Sequence, residues 1–317
     1  MKALLILSII AVSPIVASGG TSRPDEAAEA CTTPIASVVA VHTRNWSQIW
    51  LAPLKLDTRG AHLGKLVPIT HRPGYNNQPA FSQDGQGFYY SWRPDNSEAD
   101  IWYHEFRTGK ERPITCTPQD EYSPALIPAR KAISAVSLED ADKRRLWAIP
   151  LADGEPSLLF PNLSSIAYYA WVDADTVILS LTDPDKAQMM TLAIGNVSTG
   201  SIERIGSAGS QSLARVPNST AVSYVDKRES QSSRLMEIDA VSHELSAVLT
   251  LPESVETYAW LPDGRIIAPM HSLILTWSPH EPAWKQIADL SAQMPNGISR
   301  LVVNDKGNRI GLVTPVK

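Results

Sequence analysis

The chain has 317 residues, 43% of them hydrophobic, and a formal net charge of -5. That length suffices for one large all-β domain, and the hydrophobic fraction excludes a disordered chain. Mild acidity without a basic run argues against nucleic acid or an anionic membrane surface as the main partner.

The chain opens with Lys2, an apolar run from Ala3 to Val12 and the small residues Val16-Ala17-Ser18. A run of about ten residues is too short to span a bilayer as a helix. The order of the three regions is that of a signal peptide over residues 1–18, with cleavage expected after Ser18. Export places the mature chain in the periplasm or outside the cell. No later apolar run reaches spanning length, so no transmembrane segment is expected in the mature chain. Residues 19–34 are small and polar and read as a flexible leader, and residues 35–317 as a single domain. Cys31 and Cys116 are the two cysteines. In an oxidising compartment they are candidates for a disulfide, with free thiols as the alternative; closing so long a loop would stabilise by about 4 kcal/mol in the chain-entropy model.

Alternating apolar residues begin at Ile35–His42, Gln48–Leu54 and Lys65–Ile69. The clearest unit follows, from Asn77 to Thr115. It contains Ala80–Ser82, Gly87–Trp92, Asp100–Phe106 and Arg112–Thr115, separated by Asp84-Gly85, Arg93-Pro94-Asp95-Asn96 and Thr108-Gly109-Lys110. Short runs bounded by such residues are strands in hairpins, and four in series make one propeller blade. Pro79-Ala80-Phe81-Ser82-Gln83-Asp84-Gly85, Asp100-Ile101-Trp102, Thr108-Gly109-Lys110-Glu111 and Pro113-Ile114-Thr115 resemble the repeat of TolB-like β-propellers. Gln83 stands where that repeat has Pro, and Ile114 where it has Leu. Trp260-Leu261-Pro262-Asp263-Gly264 keeps the turn of the same repeat, and Arg215-Val216-Pro217-Asn218-Ser219 its outline.

Turn positions equivalent to Asp84 recur near Ala129, Ala174, Asn218, Asp263 and Lys306, a spacing of roughly 45 residues, the length of one blade. Four further strand quartets are expected, beginning at Ser123, Tyr168, Leu213 and Thr257. Leu290–Met294 reads as a helical turn. Only Ile298–Val303 and Arg309–Thr314 follow. The C-terminal strands are early ones and the N-terminal strands late ones, so together they complete one blade. The expectation is an all-β, six-bladed propeller closed by strands from both termini, with one strand surplus; seven blades is the alternative.

No G-x-S-x-G, H-E-x-x-H, Walker or G-x-G-x-x-G pattern occurs, so neither catalytic nor cofactor-binding residues are assigned. The seven His are scattered singly and the two Cys lack C-x-x-C spacing, so no metal site is assigned either. Glu139-Asp140-Ala141-Asp142 could hold Ca²⁺, but Lys143, Arg144 and Arg145 beside it favour a solvated loop. Most of the nine Trp fall at blade-related positions, where large aromatics fill the wedge between sheets. Trp92 differs: it ends a strand beside a turn. With His71, Arg72, Tyr75, Asn76, Asn77 and Arg93 it is expected to form an aromatic and polar recognition patch.

The resemblance implies a non-catalytic periplasmic module or scaffold with an envelope or periplasmic protein as partner, a small molecule or glycan being a further possibility. It does not extend to the N-terminal α/β domain of the family's namesake. A lyase or hydrolase acting on glycans or small metabolites at the central channel is the alternative. Carboxylates and His converging at one mouth of the channel would favour the enzyme.

Overall fold

A computed structural model describes residues 46–316 apart from 96, 141–142, 183–189, 208–211, 228–232 and 282. The expected signal peptide, the leader, Cys31 and strand Ile35–His42 lie outside the described residues. So does part of the Glu139–Asp142 loop.

All regular structure among the described residues is β-strand. In chain order β1 is Ser47–Asp57, β2 Gly60–Leu63 and β3 Val67–Pro68. Strands β4–β7 are Tyr75–Phe81, Gly87–Arg93, Asp100–Glu105 and Glu111–Pro113. Strands β8–β11 are Asp120–Leu126, Ala132–Glu139, Lys143–Pro150 and Ser157–Leu159. Strands β12–β15 are Ile166–Trp171, Thr176–Thr182, Met190–Asn196 and Ser201–Ser207. Strands β16–β19 are Leu213–Arg215, Ala221–Asp226, Arg234–Asp239 and Leu245–Thr250. Strands β20–β23 are Ala259–Trp260, Ile266–Met270, Leu273–Trp277 and Lys285–Asp289; β24 is Arg300–Val303 and β25 Arg309–Pro315.

Each quartet is an antiparallel meander in sequence order. The first and last of the described strands make the remaining group. β25 pairs with β24 on one side and with β1 on the other, from Ser47↔Pro315 to Pro53↔Arg309. β2 and β3 both pair with the far edge of β1, at its end and its middle respectively. The closing group is joined to β4–β7 by the parallel pair Ser47↔Tyr75, so the described strands make one nine-stranded sheet and four four-stranded ones. The hairpin from β1 to β2 was not foreseen, because Gly-Ala-His-Leu is too short to show alternation.

The core is divided in the same way. Each of six apolar clusters is shared between two successive groups, so the contacts run round a closed circle. Phe88, Tyr90 and Trp102 meet Ile49 and Val313 of the closing group. Tyr89 and Ile101 meet Ile133 and Ile149. Leu146 and Val136 meet Trp171 and Leu179, and Ile178 and Leu192 meet Val222 and Ile238. Val225 and Leu235 meet Ile266 and Ala268, and Ile267 and Ile274 meet Leu301 and Leu312. Trp92, Trp102 and Trp171 are core members of these clusters, and Trp50, Trp260, Trp277 and Trp284 pack against them.

The turn between first and second strands takes a left-handed residue at Gly85, Ala129, Asn218, Gly264 and Gly307. Only Gly and, to a lesser degree, Asn adopt that backbone readily, so Ala129 carries strain there. In the remaining quartet, Asp173 Oδ1 holds the turn by accepting from the amides of Asp175 and Thr176, both at 2.8 Å. At Leu290–Met294 a single helical turn forms, with Met294 N donating to Leu290 O at 2.7 Å.

Candidate binding channel

The first strand of every group faces the axis, and together they enclose a cavity of about 570 Å³. Gln78, Ser123, Tyr168, Arg215, Tyr258 and Arg300 line it, one from each group. An innermost strand has an unpaired edge, and two of the six carry proline there, at Pro79 and Pro124. The residues before them, Gln78 and Ser123, are left-handed, and the register with the second strand slips at both places. The bulge turns the Gln78 amide across the seam. Its Oε1 accepts from Ser91 Oγ at 2.9 Å in its own sheet and from Ser123 N at 2.8 Å in the next.

Two other seams are sealed by a repeated device. Trp171 Nε1 donates to Ser134 Oγ at 2.8 Å, Ser134 Oγ lies 3.0 Å from Tyr169 Oη, and Tyr169 donates to the Ser123 carbonyl at 2.6 Å. Trp260 Nε1 donates to Ser223 Oγ at 2.7 Å, and Tyr258 Oη lies 2.7 Å from the same oxygen. Burial pushes both phenols up. The signal is visible in hindsight: Tyr-Ala-Trp occurs at both places, with a buried Ser 35 positions before each Tyr.

The two mouths differ. At one, Arg93 and Tyr75 are cross-strand partners at the ends of β5 and β4. The Arg93 guanidinium lies 5.5 Å from the centre of the Tyr75 ring and donates to Tyr122 Oη at 3.1 Å. Tyr75 and Tyr122 meet edge to face with centroids 6.2 Å apart. Burial pushes the Tyr75 phenol up, while Arg300 and Arg93 pull it down. The other mouth carries the turns, with Pro217, Asn218, Pro262 and Asp305 beside Arg215. Asp305 is the single carboxylate among the described residues lining the cavity, and no His lines it.

The seven residues singled out from the sequence do not form one surface. Tyr75 and Arg93 pair at the ends of β4 and β5, outside the residues that line the cavity but close enough to Arg300 and Tyr168 for both to act on the Tyr75 phenol. Asn77 is half-buried and turns inward locally, accepting from Gln78 N at 2.7 Å, and His71 is exposed. Asn76 and Trp92 are built into the interior, and Arg72 is half-buried beside them. Trp92 is 6% exposed and donates Nε1 to the Pro73 carbonyl at 3.1 Å. Arg72 stacks on Trp102 at 3.8 Å and on Trp92 at 4.8 Å, and its Nε pairs with Glu111 at 2.8 Å. Glu111 also accepts from Tyr90 Oη at 2.8 Å and faces His104 Nδ1 at 3.2 Å. Asn76 is 1% exposed, and its Nδ2 donates to the carbonyls of Ser47, Arg72 and Gly74. Gly74 allows this packing: a Cβ there would stand 2.2 Å from the Arg93 carbonyl oxygen. Replacing Arg72 and Trp92 together would therefore dismantle a buried knot rather than blank a surface. The channel residues the sequence reading missed are Gln78, Ser123, Tyr168, Arg215, Tyr258 and Arg300.

Cys116 lies between β7 and β8, and its expected partner, Cys31, lies outside the described residues.

No family model and no curated protein matches this chain. Solved structures do. A TolB protein from Agrobacterium tumefaciens superposes with a TM-score of 0.63 at 12% identity, over 87% of this chain and 100% of that one. The fold is that of a TolB-like β-propeller. TolB from Acinetobacter baumannii gives a TM-score of 0.55 at 13% identity, over 84% of this chain and 63% of that one. The extracellular domain of a hybrid two-component system protein from B. thetaiotaomicron gives 0.54 at 11% identity, over 87% of this chain and 40% of that one. At such identities the TolB-like propeller is a shared scaffold, and its site must be argued from its own residues.

Proposed function

We propose that this TolB-like propeller is a non-catalytic binding module of the cell envelope, exported to the periplasm or cell exterior, which receives its partner or ligand at the central channel. The observation that carries this reading is the lining of the cavity. It combines tyrosines, arginines and amide or hydroxyl side chains, the residue types that anchor recognition. A hydrolase or lyase would instead draw on an acid and a base set close together. The volume suits a small ligand or the tip of a protein segment.

The test is capture from an envelope extract by the mature chain, residues 19–317, compared with its Tyr168→Ala variant. Native mass spectrometry of the recovered protein would detect a small molecule or glycan. Retention of a discrete ligand or protein by the wild type and its loss from the variant supports the channel as the site. Equal retention by both, or turnover of a glycan, overturns the reading. A mature N-terminus at Gly19 would establish export with processing after Ser18. A thiol titration finding no free Cys before reduction and two after it would establish the bridge between Cys31 and Cys116.

A further inference from the structure

The chemistry of the ligand can be narrowed from the mouth that holds Arg93 and Arg300. The two arginines come from different groups, at the end of β5 and the start of β24, yet both act on the Tyr75 phenol. Neither has a carboxylate at ion-pair distance among the described residues, whereas Arg72, Arg130, Arg145 and Arg265 all do. Asp120 acts on the Tyr122 phenol, raising it, and is itself occupied in accepting from Ala99 N at 2.8 Å. Arg93 spends its charge on one aromatic face and one phenol oxygen, and Arg300 lines the cavity directly.

Two guanidinium groups set in a partly desolvated cleft without a counter-ion repel each other and favour an anion between them. Their planar donor forks match the paired oxygens of carboxylate and phosphate. The opposite mouth has mixed charge. Burial pushes Asp173 up there, but the amides of Asp175 and Thr176, with Arg215 nearby, hold it below the usual range, and Asp305 lines the wall. The channel is therefore polarised along its axis.

We propose that this mouth holds the anionic group of the channel ligand, a carboxylate or a phosphate, between Arg300 and Arg93, with Tyr75, Tyr122 and Tyr168 as its walls. The assignment rests on the channel being the binding site and adds the charge and orientation of what enters it: the anionic end lies at the Arg93 mouth.

The experiment is calorimetric titration of the mature chain with citrate and, separately, with glycerol 3-phosphate at low salt. The variants are Arg300→Gln, Arg93→Gln and, as control, Arg265→Gln, whose guanidinium is paired with Asp263 at 2.6 Å in an exposed turn. Expected are saturable binding of at least one probe, a loss of tenfold or more in affinity for Arg300→Gln and for Arg93→Gln, and no change for the control. Circular dichroism and thermal melting verify that each variant folds. Binding of citrate alone identifies a carboxylate ligand, and of glycerol 3-phosphate alone a phosphate. No binding of either probe, or equal affinity in all variants, overturns the assignment. A captured partner lost on Tyr168→Ala but retained by Arg93→Gln and Arg300→Gln would leave the channel as the site and remove the anion.

Discussion

Two sheets of the propeller, β4–β7 and β12–β15, share one topology and almost nothing else. The second is packed with aliphatic side chains: Val177, Ile178, Leu179 and Leu181 on its second strand are all fully buried. The first buries Phe88, Tyr90 and Trp102 around an ionic knot of Arg72, Glu111 and His104, and places Asp100 and Glu121 close beyond it. A blade accepts either interior because what it must supply is a wedge of the right thickness against its neighbours. Aliphatic packing supplies that at no electrostatic cost, whereas the aromatic and ionic version needs every charge partnered.

The contrast predicts where stability is concentrated. Trp102→Ala should have the largest effect. It removes a fully buried indole and the platform of Arg72, and a loss of about 4 kcal/mol is expected in urea unfolding. Next is the pH dependence carried by Asp100. Burial raises its carboxyl to about 7, aided by Glu121 and Asp120 and opposed by hydrogen bonds from Thr117 and Thr115. The native state thus keeps a proton that the unfolded chain releases near pH 4. Stability from this group is full below about pH 4 and falls as pH rises to 7, by about 4 kcal/mol in all. Asp100→Asn should remove that slope and be the more stable protein at pH 7.5; an unchanged slope would dissociate Asp100 from it. Glu111→Gln should cost about 2 kcal/mol, less than a fully buried pair, since Arg72 keeps 26% of its side chain exposed. In the aliphatic sheet Ile178→Val should cost only about 1 kcal/mol, with no dependence on pH or salt. A cost for Ile178→Val matching that of Trp102→Ala would erase the distinction between the two sheets.

The same contrast explains what could be read from the sequence. Strand positions were legible almost throughout, because alternation and turn residues are local properties. Even the turn at Ala129, which lacks the Gly signal, could be placed from the repeat spacing. The recognition patch was read less well. Arg72 and Trp92 carry the composition of a binding surface, and nothing local distinguishes an arginine that meets solvent from one that lies on two buried indoles. Arg300 and Tyr168 carried no signal at all, since the ring brings together one residue from each distant strand. The Tyr-Ala-Trp pairs were available in the sequence, but their meaning depends on a serine in the preceding sheet.

The pairing of β1 with β25 also sets the order of events during biogenesis. Every other sheet can form as soon as its own four strands have been made, from contacts between near neighbours in sequence. The clasp needs partners from opposite ends of the described residues, so it incurs the largest loop-closure entropy and must come late. Until then β1 and β20–β23 present uncovered apolar flanks that will later meet β24 and β25. A chain cut before Arg309 would therefore leave an open, aggregation-prone arc, and β25 decides whether the strands before it become a ring.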